Sequence, residues 1–128
     1  ERHVEERARG AAELARELGR ATVRATFRRF FPANAATLSP ATTLAALSPI
    51  WRQYHSWGET EVALTADGSA SVRLRRPLPG AEVLRAWTAG MLEQVVTLAG
   101  GRDVRVDELH SGLDDRQASW TFEISWRG

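Results

Sequence analysis

Side chains able to do chemistry are few in this chain of 128 residues, which holds no cysteine and no lysine. Without cysteine there is no thiolate nucleophile, no disulfide framework and no thiolate-ligated zinc or iron–sulfur cluster. Without lysine, neither a Ser-x-x-Lys pair nor a phosphate-loop lysine exists, and the chain has no G-x-G-x-x-G or G-x-S-x-G segment. The three histidines are His3, His55 and His110, and no two stand three or four residues apart. A metal site would require the fold to gather them, with Asp114 and Asp115 beside His110 as further ligands, although the same residues suit an exposed polar hairpin loop. His55 sits between Tyr54 and Trp57 and just before Gly58. An imidazole there suits an axial ligand or a general base, and equally a helix-terminal cap on free carbonyls. No catalytic set, metal site or cofactor is read from these residues, and the chain is expected not to be an enzyme.

Two groups of residues suit binding rather than catalysis. Trp51, Tyr54, His55 and Trp57 crowd one short stretch, and Trp87 and Met91 follow on a later helix. Aromatic walls with a few polar groups are the usual lining of a small-molecule site, and aromatics at helical spacing are also the usual filling of a core. Arg16, Arg20, Arg24 and Arg28 recur at every fourth residue with Arg29 alongside. Such a stripe would grip an acidic partner through forked guanidinium contacts, or form a solvated helix face paired with Glu13 and Glu17.

Overall charge favours neither nucleic acid nor membrane, since 17 arginines meet 16 acids for a net +1. Residues 1–31 carry eight Arg and five Glu, whereas residues 102–128 carry four Arg and six acids. Nucleic acid is not the partner indicated: the aromatics near the arginines are Phe27, Phe30 and Phe31, which suit a core better than base stacking. The lack of lysine, with one Asn and two Ile, matches codon usage in a GC-rich genome.

These residues have to be positioned by elements the sequence marks plainly. Ala11, Leu14, Ala15, Leu18, Ala21, Thr22 and Ala25 repeat at 3.6-residue spacing and predict an amphipathic helix from about residue 3 to 31, with Arg16, Arg20 and Arg24 on the far side. Gly19 in this Ala-rich run would let a second helix approach closely. Pro32 ends the helix. A second helical stretch runs from Thr42 to Leu47, and Ser48-Pro49 reads as a cap that restarts it. Val62 and Leu64, then Val72 and Leu74, alternate about Asp67-Gly68 as a hairpin whose other face carries Arg73 and Arg75. A helix with the stripe Val83, Leu84, Trp87, Met91, Val95 and Leu98 follows, stopped by Gly100-Gly101. Val104 and Val106, then Trp120, Phe122, Ile124 and Trp126, alternate in a closing hairpin, the four large side chains of its second strand on one face.

The order helix, helix, hairpin, helix, hairpin, with one polar face per strand, predicts a single α+β domain over residues 1–128. An antiparallel sheet of about four strands would carry helices packed on one face. At 43% apolar and 26% charged residues the chain is an ordinary globular one, and no apolar run is long enough to span a bilayer. It begins at Glu1 without an initiator Met or a signal-peptide pattern, which reads as a cytoplasmic domain belonging to a longer protein.

The helix LARELGRATVRATFRRFFP, the segment PIWRQYHSWGETEVAL, a hairpin, a helix and the closing VRVDEL and SWTFEISW together resemble an uncharacterised, mainly myxobacterial family of small domains. That architecture is similar to the four-vinyl-reductase domain and, more distantly, to the heme nitric-oxide-binding and transport-particle folds. The resemblance implies a cradle between helices and sheet for an apolar or cofactor-like ligand, in a sensory or regulatory role. Two departures stand out. The cysteines typical of four-vinyl-reductase domains are absent, and Gly58 stands where the Tyr-x-Ser-x-Arg motif of nitric-oxide sensors would place its arginine. The expectation is a non-enzymatic sensory or regulatory module binding a small apolar ligand. The alternative is a protein-interaction or self-association module, using the Arg-rich helix on an acidic partner or homodimer, or an exposed Trp surface.

Overall fold

The computed structural model describes residues 2–30, 39–54, 58–75, 82–109 and 119–128. His110, Asp114 and Asp115 therefore lie outside the described residues, as do the segments on either side that begin with Phe31 and Arg76.

Helix α1 spans Arg2–Phe30, α2 Pro40–Ala45 and α3 Leu47–Tyr54; strands β1 (Glu59–Ala66) and β2 (Ser69–Arg75) precede α4 (Glu82–Leu98), and β3 (Arg102–Leu109) and β4 (Ser119–Arg127) follow it. The strands form an antiparallel sheet in the order β1-β2-β4-β3. The two hairpins are thus joined through their second strands, with Val72 opposite Phe122 and Ala70 opposite Ile124. Register irregularities fall between Leu64 and Ala66 on β1 and between Arg102 and Arg105 on β3, where Asp103 takes a positive φ of 50°. The α+β architecture agrees with the sequence pattern, because period-two alternation leaves each strand one apolar face to be covered.

That face holds Ala70, Val72 and Leu74 of β2, Val106 of β3 and Phe122 and Ile124 of β4, all buried. Leu44, Leu47, Ala89, Leu92 and Val96 pack onto it from α2, α3 and α4. Trp120 and Trp126 are half-buried at the margin of this core rather than at its centre. The opposite face carries Glu61, Arg73, Arg75, Glu123, Arg105 and Asp107, tied in part by an Arg75–Glu61 ion pair at 3.0 Å.

Three details differ from the sequence pattern. Ser48 does not cap α3: that helix begins at Leu47, and the Ser48 hydroxyl donates to the carbonyl oxygen of Thr60 at 2.7 Å, tying α3 to β1. The capped start is one helix earlier, where Ser39 accepts from the Thr42 amide and Pro40 occupies the first turn. On α4, Val83 and Leu98 are exposed, and burial extends over Ala86, Ala89, Leu92, Val95 and Val96. Helix α4 is enclosed from two sides, by the sheet and by α1.

The third difference concerns α1. Its buried line is Ala15, Gly19, Val23 and Phe27, whereas Leu14 and Leu18 are 61% and 53% exposed. The reason is the contact with α4. A Cβ on Gly19 would collide with the carbonyl oxygen of Trp87, and one on Gly90 with that of Arg16. Two backbones can come this close only where both helices present a hydrogen in place of a side chain. Gly19 therefore sets which face α1 turns inward, and the leucines flank the contact on its outer side. Helix α1 forms a third layer over α4, and the two helices run in the same direction. Arg16 shares Glu108 with Arg85 near the start of α4, and Phe27 clusters with Val95 towards its end.

Candidate functional site

Helix α4 covers the β3 side of the sheet and α3 the β1 side, which leaves a gap above β2 and β4. The gap is a cavity of about 400 Å³. Its floor is Thr60, Val72, Leu74 and Phe122; its sides are Leu47, Ile50 and Trp51 of α3 and Trp87, Thr88, Met91, Leu92 and Val95 of α4. The second half of α1 closes it from above with Thr22, Val23, Thr26, Phe27 and Arg29. Because Thr22 and Arg29 are exposed while Val72, Leu74, Leu92 and Phe122 are at most 2% exposed, the cavity runs from solvent at α1 down to the centre of the sheet. The volume falls within the range of about 300–1,000 Å³ usual for sites that hold small organic molecules.

Chemically the wall is hydrocarbon with few polar atoms, and those are arranged in a consistent way. The hydroxyls of Thr22, Thr26 and Thr88 donate to the carbonyl oxygens four residues earlier, of Leu18, Thr22 and Leu84, at 2.8, 2.8 and 2.7 Å. Thr60 donates to the Ser48 hydroxyl at 2.9 Å. With their protons held by the backbone or by a neighbouring serine, these threonines line the wall without offering a hydrogen-bond donor to an occupant.

Of the aromatic set expected to bind a ligand, the structure brings Trp51, Trp87 and Met91 into one wall. His55 and Trp57 lie outside the described residues, and of Tyr54 only the backbone is described. Gly58, which follows them, lies against Leu74 and the indole of Trp51. Phe122 and the threonines of the wall escaped sequence reasoning. A signal for Thr22 and Thr26 existed in their four-residue spacing one position before Val23 and Phe27.

The arginine stripe needs correction in part. Arg20 and Arg24 make the pairing with Glu17 expected of a solvated face, and Arg24 stays exposed, but Arg16 and Arg20 flank the Gly19 contact and reach across it. Arg16 donates to Glu108 on β3 at 2.7 and 3.1 Å and to the Val106 carbonyl at 3.2 Å, and Arg85 completes the group on the other carboxylate oxygen at 3.2 Å. Arg20 bridges Glu17 and Glu93, both at 3.0 Å, and Arg24 bridges Glu17 at 2.7 Å and Gln94 at 3.2 Å. Burial opposes the charge on Arg20, but its hydrogen bonds to Glu17 and Glu93 prevail and raise its pKa. The Arg24 and Arg20 guanidiniums hold the Glu17 carboxyl below its ordinary value. A free basic face for an acidic partner is thereby reduced to Arg28 and Arg29, which make no ion pair among the described residues, and Arg29 stands in the cavity wall.

No group of three or more His, Cys, Asp or Glu side chains able to hold a metal gathers among the described residues. No described helix is long and apolar enough to cross a membrane.

The arrangement of this sheet and its helices is shared with solved H-NOX domains. A solved H-NOX studied for its mechanism of activation superimposes with a TM-score of 0.69 at 16% identity, over 91% of this chain and 63% of that one. An oxygen-binding H-NOX domain related to soluble guanylate cyclases, in its oxygen complex, gives 0.66 at 16% identity over 91% and 62%. A single-site variant of the T. tengcongensis H-NOX gives 0.66 at 15% over 91% and 64%. The chain thus spans under two-thirds of the length of these domains, and at this identity the likeness is one of fold. By sequence, the chain belongs to the family of proteins of unknown function DUF2378, which matches residues 2–127. No curated protein matches it.

Proposed function

We propose that this domain is a non-enzymatic sensory or regulatory module that holds a small apolar ligand between α1, α3, α4 and the sheet. The observation that carries the reading is the apolar cavity of about 400 Å³, open to solvent at α1 and floored by the central residues of the sheet. An apolar molecule entering it removes its own surface and that of the wall from water, worth roughly 25 cal/mol per Å² of apolar area before the costs of association. Trp51, Trp87 and Met91 are the wall residues assigned to contact it. The fold of ligand-binding H-NOX domains and the resemblance to four-vinyl-reductase domains support the same role.

Heme is the group studied in the H-NOX family. The described wall does not fit it: Met91 offers its only iron-binding atom, and the propionate-holding Tyr-x-Ser-x-Arg motif is broken at Gly58. The reading therefore runs through an organic ligand rather than through iron.

The test is a titration of the purified chain with an apolar environment-sensitive fluorophore, alongside native mass spectrometry of the protein as isolated. Saturable one-to-one binding with quenching of the Trp51 and Trp87 emission is expected. Absence of both retained ligand and saturable binding overturns the proposal, and a stoichiometric Soret band on adding hemin replaces it with a heme protein.

A further inference from the structure

We infer that the ligand is an amphiphilic carboxylic acid, an apolar chain ending in one carboxylate, and that Arg29 is the residue that holds the carboxylate. The inference rests on the cavity being a ligand site and adds the chemistry of the occupant. Three observations carry it.

First, among the described residues the wall offers one cation. Besides hydrocarbon it contains four threonines, whose hydroxyl protons are already committed to Leu18, Thr22, Leu84 and Ser48. Trp51 and Trp87 are both already engaged within the protein. Arg29 has no hydrogen bond or ion pair to any described residue, so its donors remain for an acceptor brought in by a ligand.

Second, Arg29 joins two properties that no other arginine of the stripe combines: no ion pair among the described residues and a place in the cavity wall. Its stripe partners Arg16, Arg20 and Arg24 are each neutralised by Glu108, Glu93 or Glu17 of the same chain. Arg28 is equally free of ion pairs among the described residues but lies outside the wall.

Third, charge and depth are arranged as an amphiphile requires. Arg29 stands at the exposed end, where a bound carboxylate keeps part of its hydration, and the buried end is Leu74, Leu92 and Phe122. The reverse orientation would bury a carboxylate among carbon atoms with no donor, which is far too costly.

Dodecanoate and dodecanol share a chain and differ in the head group, so their binding to the full chain, followed by calorimetry and tryptophan emission, isolates the role of Arg29. Dodecanoate is expected to bind about tenfold or more tightly than dodecanol, the worth of a charge-assisted hydrogen bond. Arg29→Gln is expected to remove that preference by lowering dodecanoate affinity about tenfold, and Arg28→Gln to alter neither; thermal melts verify that both variants fold. Equal affinity of acid and alcohol in the native chain, or undiminished dodecanoate affinity in Arg29→Gln, overturns the inference and leaves the apolar site standing. Failure of both probes to bind overturns the inference together with the site.

Discussion

Glu17 shows how a side chain on the surface records the fold. Its carboxyl accepts from Arg24 and Arg20, and both hold its pKa below the ordinary value of 4.5. A carboxyl depressed in the folded state contributes stability above its unfolded pKa and loses that contribution as pH falls through the folded one. The stability difference between the native chain and Glu17→Gln, measured by urea denaturation, is therefore expected to be present near neutral pH and to close as pH drops below 4.5. Thr43 is the opposite case. It is 1% exposed, and its hydroxyl has no partner among the described residues. A valine of the same shape removes the unmet donor, so Thr43→Val is expected to raise stability by about 1 kcal/mol in the same assay; a loss of that size would mean that the hydroxyl is satisfied. Sequence made Trp51, Trp87 and Met91 visible as a set because large side chains at helical spacing have to go somewhere together. It hid the threonines of the wall, whose contribution depends on where the hydroxyl proton goes, and that is decided by the turn of helix beneath each one.

Among the elements, α1 carries the clearest lesson. Leucines at 14 and 18 suggest an apolar face and arginines at every fourth position a solvated one paired with Glu17. Arg20 and Arg24 do pair with Glu17, but the leucines stay exposed and Arg16 and Arg20 reach to other elements, because two glycines decide the packing. The clues were the small residues Ala15 and Gly19 on α1 and Ala86, Ala89 and Gly90 on α4, which become informative only once these two helices are known to be neighbours. Gly19→Ala tests the account. Helix propensity favours alanine by about 1 kcal/mol, but the added methyl meets a backbone carbonyl that has no rotamer to adopt. The helices must part, loosening Val23, Phe27 and Val95, and a net loss of about 1–3 kcal/mol is expected on thermal denaturation. Leu18→Gln, despite removing a large apolar side chain, is expected to change stability by no more than about 0.5 kcal/mol because that side chain already faces water.

At the level of the whole molecule, element order and the two hairpins were legible because periodicity switches cleanly between two and 3.6 along the chain, whereas the joining of the hairpins through β2 and β4 was not. The layering was not. Helix α4 is apolar on the side of Ala89, Leu92 and Val96 and again on the side of Trp87, Met91 and Val95, and a single hydrophobic stripe cannot express a helix buried from two directions. Between those two packings lies the cavity, and filling it should separate folding from binding. Val72 is 1% exposed on the floor, and a side chain on a strand stands roughly perpendicular to the sheet. Val72→Phe is therefore expected to send its ring into the void, gain about 0.5–2 kcal/mol in stability and abolish binding of an apolar probe. A variant that is more stable and still binds would place the ligand elsewhere.

The two irregularities of strand register fall on β1 and β3, the outer members of the sheet. Those strands also carry Glu59 and Glu61, and Arg102, Asp103, Arg105 and Asp107. A bulge near one end of each outer strand and charges along it shorten the regular row of amides and carbonyls left for a passing extended segment to six residues on β1 and five on β3. The sheet is in this sense self-limiting: a second polypeptide gains little by extending it.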